Sequence, residues 1–362
     1  MKHAYRCACF AVPAKLARKL ASRAQASEQH QLHGHIEAAA RLRTLRGVAS
    51  TRATHPALPG AQASELNYQR VVFDLAQGVD LPGHPVRDEG GKPVPDAAAN
   101  HVYDNTGITL DFYLKVFGRR SIDNCGSRVE SSVHFGQNFG NAMWTGKSMV
   151  YGDGDQNVSG FPAALDIIAH ELTHGVTQHM IKGGLGVVPV APKDREFKEQ
   201  THDLRGQSGA LNESFSDVVG SMVKQWHAGQ DVTKANWLLG EHLLAARHGR
   251  AIRSLKDPGN RALTWYEDEQ YKSMDDYADG ADVHDSSGVP NHAFYLAAQH
   301  LGGFSWEKTG AIWYEAFAKL TPAATFKDAA RVTRQVASQR FGVGSKEHKA
   351  VTSAWQAVKV IT

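Results

Sequence analysis

The run Asp166-Ile-Ile-Ala-His170-Glu171-Leu-Thr-His174 constrains this chain more than any other stretch. Its apolar residues recur at helical spacing, and His170 and His174 stand four apart. A helix therefore puts both imidazoles on one face, one turn apart. That geometry suits two ligands of one tetrahedral zinc ion. Glu171 sits beside them, where it can take a proton from water that the metal activates. With 19 histidines in the chain, the motif needs support from elsewhere.

Residues 208–221 supply it. A catalytic zinc site uses three protein ligands and leaves the fourth position to water. Glu213 is the candidate third ligand. Asp217 lies one turn further on the same face, where it can accept a hydrogen bond from a ligand histidine and fix its tautomer. Ala210, Leu211, Phe215, Val218 and Val219 mark this helix as buried, which disfavours a polar face turned to solvent. A third piece, residues 279–292, holds His284 in a polar, glycine-rich loop before a helix. His284 can stabilise an oxyanion, with Asp279 as its orienting partner.

The rest of the chain has room for such a site. It is 362 residues long, 42% apolar and 21% charged, which supports about two domains plus an extra segment and excludes a wholly disordered chain. Three cysteines make no disulfide framework. No apolar run is long enough to span a membrane. The net charge of +3 hides an asymmetry: residues 1–54 hold ten Lys/Arg against two Glu, or +8, and the remainder carries −5. A cationic leader before an acidic body suggests docking of one on the other. Nucleic-acid binding is the rival for that charge, but no motif supports it, and no nucleic-acid or membrane partner is expected.

Residues 14–47 read as helical and 48–66 as a linker. Tyr68 to Asp74, Val102-Tyr103 and Val129 to Phe135 read as strand-like pieces, 108–117 as helical, and 88–93 as a hairpin or loop. From about 161 the pattern is mostly helical, including 236–247, 290–300, 306–320 and 326–337. The expected fold class is α+β: a leader and linker over 1–55, a strand-rich domain over 56–180 that ends in the zinc helix, and a helical domain over 181–362 with an insertion at about 181–203.

These motifs resemble the thermolysin family of zinc metallopeptidases, and in particular its short, protealysin-like branch. The resemblance covers roughly residues 60–360. It implies a zinc-dependent endopeptidase that cuts on the N-terminal side of bulky apolar residues in protein and peptide substrates. By this resemblance His170, His174 and Glu213 hold one zinc ion, and Glu171 is the general base. His284 is the transition-state histidine, with Asp279 its partner and Asp217 the carboxylate behind a zinc histidine. Arg253 binds a substrate carbonyl, Asn141 the substrate amide, and Ala142 makes a backbone contact. Ile167, Ile252 and Phe161 line the specificity pocket. The segment Cys9-Phe-Ala-Val-Pro13-Ala14 is similar to the start of the branch's propeptide, which implies an intramolecular inhibitor.

Several positions depart from the family pattern. Leu204 stands where the resemblance implies an oxyanion-binding tyrosine. The stretch between His174 and Glu213 is about 20 residues longer than the family's. The family's paired calcium site corresponds to Asp166, Lys224, Asn236, Leu238 and Glu241. A cation and an apolar side chain there make calcium doubtful, and the double site is expected to be absent. The alternative function is a zinc-binding protein of this fold with weak or no catalysis, used as a peptide-binding module. The branch implies secretion; without a classical signal, a cytoplasmic location is the alternative.

Overall fold

The computed structural model describes residues 9–22, 68–190 and 201–362. Most of the leader, its linker and part of the insertion therefore lie outside the described residues. The first layer is a six-stranded sheet built from β1 (Cys9–Phe10), β2 (Gln69–Asp74), β3 (His84–Asp88), β4 (Arg128–Val133), β5 (Ala142–Trp144) and β6 (Met149–Tyr151). Its order is β1-β5-β6-β4-β2-β3. The β2–β4 and β4–β6 pairs are parallel; the others are antiparallel. The leader helix α1 (Ala14–Ser22) follows β1.

Helix α2 (Ala97–Phe117) packs on this sheet. Asp96 caps it by accepting a hydrogen bond from the Ala98 amide, and Gly118 ends it at a φ of 67°. It absorbs Val102-Tyr103, which the sequence pattern marked as strand-like. Two β-branched or aromatic residues do not outweigh a capped alanine-rich start, and Val102 fills the helix's buried face.

Helix α3 (Leu165–Met180) and helix α4 (Gly206–Ala228) pack side by side and carry the expected metal ligands. Their close approach depends on Gly220, where an added Cβ would stand 2.5 Å from the Asp166 carbonyl oxygen. Between them, β7 (Val187–Val190) and β8 (Thr201–Leu204) pair antiparallel.

The stretch 236–247, expected to be helical, is not. Positive φ angles at Trp237, Gly240 and His242 break it. Asn236 bonds the Leu238 amide and the Glu241 side chain instead of continuing a helix. What forms is β9 (Leu238–Leu239), paired with β10 (Arg253–Ser254). Among the described residues the remaining α-helices are α5 (Val283–Ser286), α6 (Gly288–Leu301), α7 (Lys308–Phe317), α8 (Phe326–Phe341) and α9 (Lys346–Ala357). One continuous apolar core runs from α1 through α2, α3 and α4 to the C-terminal helices.

Candidate active site

The helical spacing does what the sequence requires of it. His170 Nε2 and His174 Nε2 lie 3.1 Å apart. Glu213 Oε2 is 3.4 Å from the first and Oε1 3.7 Å from the second. All three side chains are buried, with one donor atom of each within 4.8 Å of the others. Zinc–nitrogen bonds of about 2.0–2.1 Å place tetrahedral ligand nitrogens about 3.3 Å apart, close to this spacing. Both Glu213 oxygens are also buried without a hydrogen-bond partner. A buried carboxylate in that state is costly unless a cation serves it. The donor set thus fits zinc.

The two imidazoles are held from behind. His170 Nδ1 is 2.8 Å from Asp217 Oδ1. His174 Nδ1 faces Asn212 Oδ1 at 3.0 Å and Ser216 Oγ at 3.2 Å. Asn212 in turn donates to the Leu185 carbonyl. These contacts leave both Nε2 atoms aimed at the shared centre.

Glu171 is fully buried, and its Oε2 accepts the Trp144 amide at 2.8 Å. Its Oε1 has no partner. Burial pushes this carboxyl up to about 8, while the charges of His170 and Arg253 pull against it. Across the centre, His284 Nε2 lies 3.4 Å from Glu213 Oε2. Burial alone would lower the His284 pKa, but Glu213 and Asp282 raise it to about 9.

The orienting partner of His284 is not Asp279. That residue is exposed and is a hydrogen-bond partner of Tyr277. Asp282 takes the role, with Oδ1 2.9 Å from both the His284 amide and His284 Nδ1. An aspartate at a helix N-cap reaches the amide two residues on, so the spacing Asp282-x-His284 held the signal. Asn212 and Ser216 were likewise missed; they stand one before and three after the ligand Glu213. Leu204 is buried and packs with Val187 and Val283, the neighbour of His284. It offers no side-chain donor.

The expected substrate-binding residues meet the leader. Val12 donates its amide to Asn141 Oδ1 at 2.9 Å and accepts from Asn141 Nδ2 at 3.1 Å. The Ala11 amide donates to the Ala142 carbonyl at 3.1 Å. The Ala11 carbonyl accepts from Arg253 Nη1 at 3.3 Å. Arg253 is anchored on Asp217 through Nε and Nη2. Phe161, Ile167 and Ile252 are buried in the same core cluster as Ala11 and Val12.

Among the calcium-site positions, Lys224 Nζ lies 3.0 Å from the Leu238 carbonyl, 3.3 Å from Asp166 and 3.8 Å from Glu241. An ammonium group thus stands among these oxygens.

Comparison with known proteins agrees with this geometry. The thermolysin metallopeptidase catalytic domain matches residues 72–178, and the thermolysin metallopeptidase alpha-helical domain matches 202–360. An extracellular metalloprotease of Pectobacterium carotovorum subsp. carotovorum is 42% identical over 320 residues, covering 84% of each chain. Protease PrtS of Photorhabdus sp. (strain Az29) is 37% identical over 309 residues, covering 80% of this chain and 76% of its own. Among solved structures, the precursor of protealysin from Serratia proteamaculans aligns with a TM-score of 0.78 and 36% identity, over 98% of this chain and all of that one. With its His-His-Glu cluster at the junction of a strand-rich and a helical part, this chain belongs to the thermolysin family of zinc metalloendopeptidases, in the protealysin-like branch.

Proposed function

We propose that this enzyme cuts internal peptide bonds on the N-terminal side of bulky apolar residues, and that its own leader blocks the cleft until removed. One observation supports both parts. The Ala11–Val12 backbone lies on Asn141, Ala142 and Arg253, beside the metal ligands, as a substrate backbone would. The apolar side chains of Phe161, Ile167 and Ile252 favour an apolar substrate residue.

When held by His170, His174 and Glu213, a zinc ion acidifies water and polarises the scissile carbonyl. Glu171, fixed through Oε2 by the Trp144 amide, takes the proton of the attacking water and passes it to the leaving amine. His284, held by Asp282, donates Nε2–H to the developing oxyanion. Arg253 and Asn141 keep the substrate backbone in register. Leu204 contributes no second oxyanion donor, so His284 carries that task.

We place the boundary between the two domains near residue 180, after α3, with the leader and linker ending near 55. Lys224 lies near both Asp166 and Glu241, which supports the reading that an ammonium group stands in place of the paired calcium ions. The enzyme acts outside the cell; the extracellular name of the Pectobacterium relative supports this.

The direct test is Glu171→Gln. It should abolish turnover and leave zinc stoichiometric in the purified protein. Turnover that persists in Glu171→Gln refutes the mechanism. Stoichiometric zinc and peptide binding without turnover in the parent enzyme would favour the binding-module reading.

A further inference from the structure

The leader continues beyond the strand that fills the cleft, and its helix makes a second set of contacts. Lys15, the third residue after Val12, is paired with Glu269 and, at 2.9 Å, with Asp285. One helical turn on, Lys19 is paired with Glu267. Lys15 and Asp285 are largely withdrawn from solvent, with side chains 23% and 15% exposed.

The acidic rim is fixed without the leader's help. Gln270 donates to the His284 carbonyl at 2.8 Å, and the Tyr271 amide donates to the Asp285 carbonyl at 2.9 Å. Buried Asp268 accepts from Thr264 Oγ1 and from the Gln270 amide. The segment bearing Glu267 and Glu269 is thereby tied to α5, which bears Asp285. Removal of the leader would leave a preformed group of carboxylates at the mouth of the cleft, with two ammonium groups gone. Arg261 also lies 4.0 Å from Glu269.

We propose that Glu267, Glu269 and Asp285 form a cation-binding subsite at the mouth of the cleft, filled by Lys15 and Lys19 of the leader and, after release, by a lysine or arginine of the substrate. It lies on the C-terminal side of the cut, because the leader runs from the Asn141 clamp toward this rim. The recognised residue falls two to four positions after the one clamped by Asn141. A long, flexible lysine stem spans the difference between the leader's helical turn and an extended peptide. The proposal rests on the reading that substrates follow the leader's path. Two of the leader's ten basic residues thus meet carboxylates of the body.

The test uses enzyme released by the full chain's own processing. Three internally quenched peptides differ only in having Lys, Ala or Glu three residues after the position aligned with Val12. The Lys peptide should exceed the Ala peptide in kcat/KM by about three- to tenfold, and the Glu peptide should fall below it. The spread should narrow in about 0.5 M salt. The double variant E267Q/E269Q should lose the preference while cutting the Ala peptide as before. Equal kcat/KM for the three peptides, or a preference that survives in E267Q/E269Q, overturns the subsite. Failure to cut any of them refutes the endopeptidase reading instead.

A second measurement needs no turnover. In the full chain with Glu171→Gln, hydrogen exchange at the Ala11 and Val12 amides should rise about tenfold on Lys15→Glu and stay unchanged on Lys15→Arg. Unchanged exchange in Lys15→Glu would show that the rim does not hold a cation, and would overturn the proposal by itself.

Discussion

Replacing Asp217 with Ala should cost this protein about 3–5 kcal/mol, because it strands a buried charge. The structure sets the scale. Asp217 is fully buried and Arg253 is 2% exposed. The carboxylate receives Arg253 Nε at 2.9 and 3.1 Å, Arg253 Nη2 at 2.8 Å and Asn291 Nδ2 at 2.8 Å. Burial would raise the Asp217 pKa, but Arg253 and His170 hold it well below the usual carboxylate range. Without Asp217 the Arg253 guanidinium keeps the Ala11 carbonyl but loses its counter-ion. His170 also loses the group behind Nδ1, so zinc affinity should fall by about 10–100-fold. Arg253→Met should be costly as well, since it leaves the carboxylate to His170 and Asn291. The double variant should cost about 2 kcal/mol less than the sum of the singles, because neither charge is then left alone. Urea and thermal melts of the four proteins, all with Glu171→Gln to stop self-digestion, measure this coupling. Costs that add to within about 0.5 kcal/mol would refute the claim that the pair acts as one unit.

Other perturbations test the frame around the site. Gly220→Ala should gain about 1 kcal/mol of helix propensity yet lose up to about 3 kcal/mol, because its Cβ meets the Asp166 carbonyl; a raised Tm would contradict the close α3–α4 packing. His134 lies 2.6 Å from Asp153 and 3.0 Å from Asp96. Burial lowers its pKa, but these two carboxylates raise it above 6.5. Its charged form therefore stabilises the fold fully below that value and loses this contribution as pH rises through the folded pKa. Melts across that window should show a fall that His134→Gln flattens; identical pH profiles would remove His134 from the account. Calcium should leave the parent Tm unchanged, whereas Lys224→Gln should lower Tm in calcium-free buffer; a parent Tm that rises with calcium would contradict the role given to Lys224.

The metal site was legible because its chemistry is local. His170, Glu171 and His174 share one helix, as do Glu213 and Asp217, and side-chain spacing on a helix survives most changes elsewhere. Only the juxtaposition of the two helices required the fold. The partner of His284 was misread because a loop has no period to count along; its capping geometry selected Asp282 rather than Asp279. Helical periodicity also failed at 236–247, where Asn236 side-chain bonds and positive φ at Gly240 redirected the chain into a short strand. The leader's contacts were the least legible. Val12 and Asn141 are 129 residues apart, and nothing in either segment names the other. Opposite net charge and the propeptide-like Cys9–Ala14 segment hinted that they meet, but not through which atoms.

The central claim, a zinc-dependent cut before a bulky apolar residue, is tested most directly by one peptide. It is an internally quenched peptide with a single Leu or Phe, incubated with the processed enzyme and read by mass spectrometry with and without a zinc chelator. The account predicts one new N-terminus, at the Leu or Phe, that disappears with chelator and returns on adding zinc. Cleavage that persists without metal, or that falls elsewhere than before the apolar residue, would contradict it.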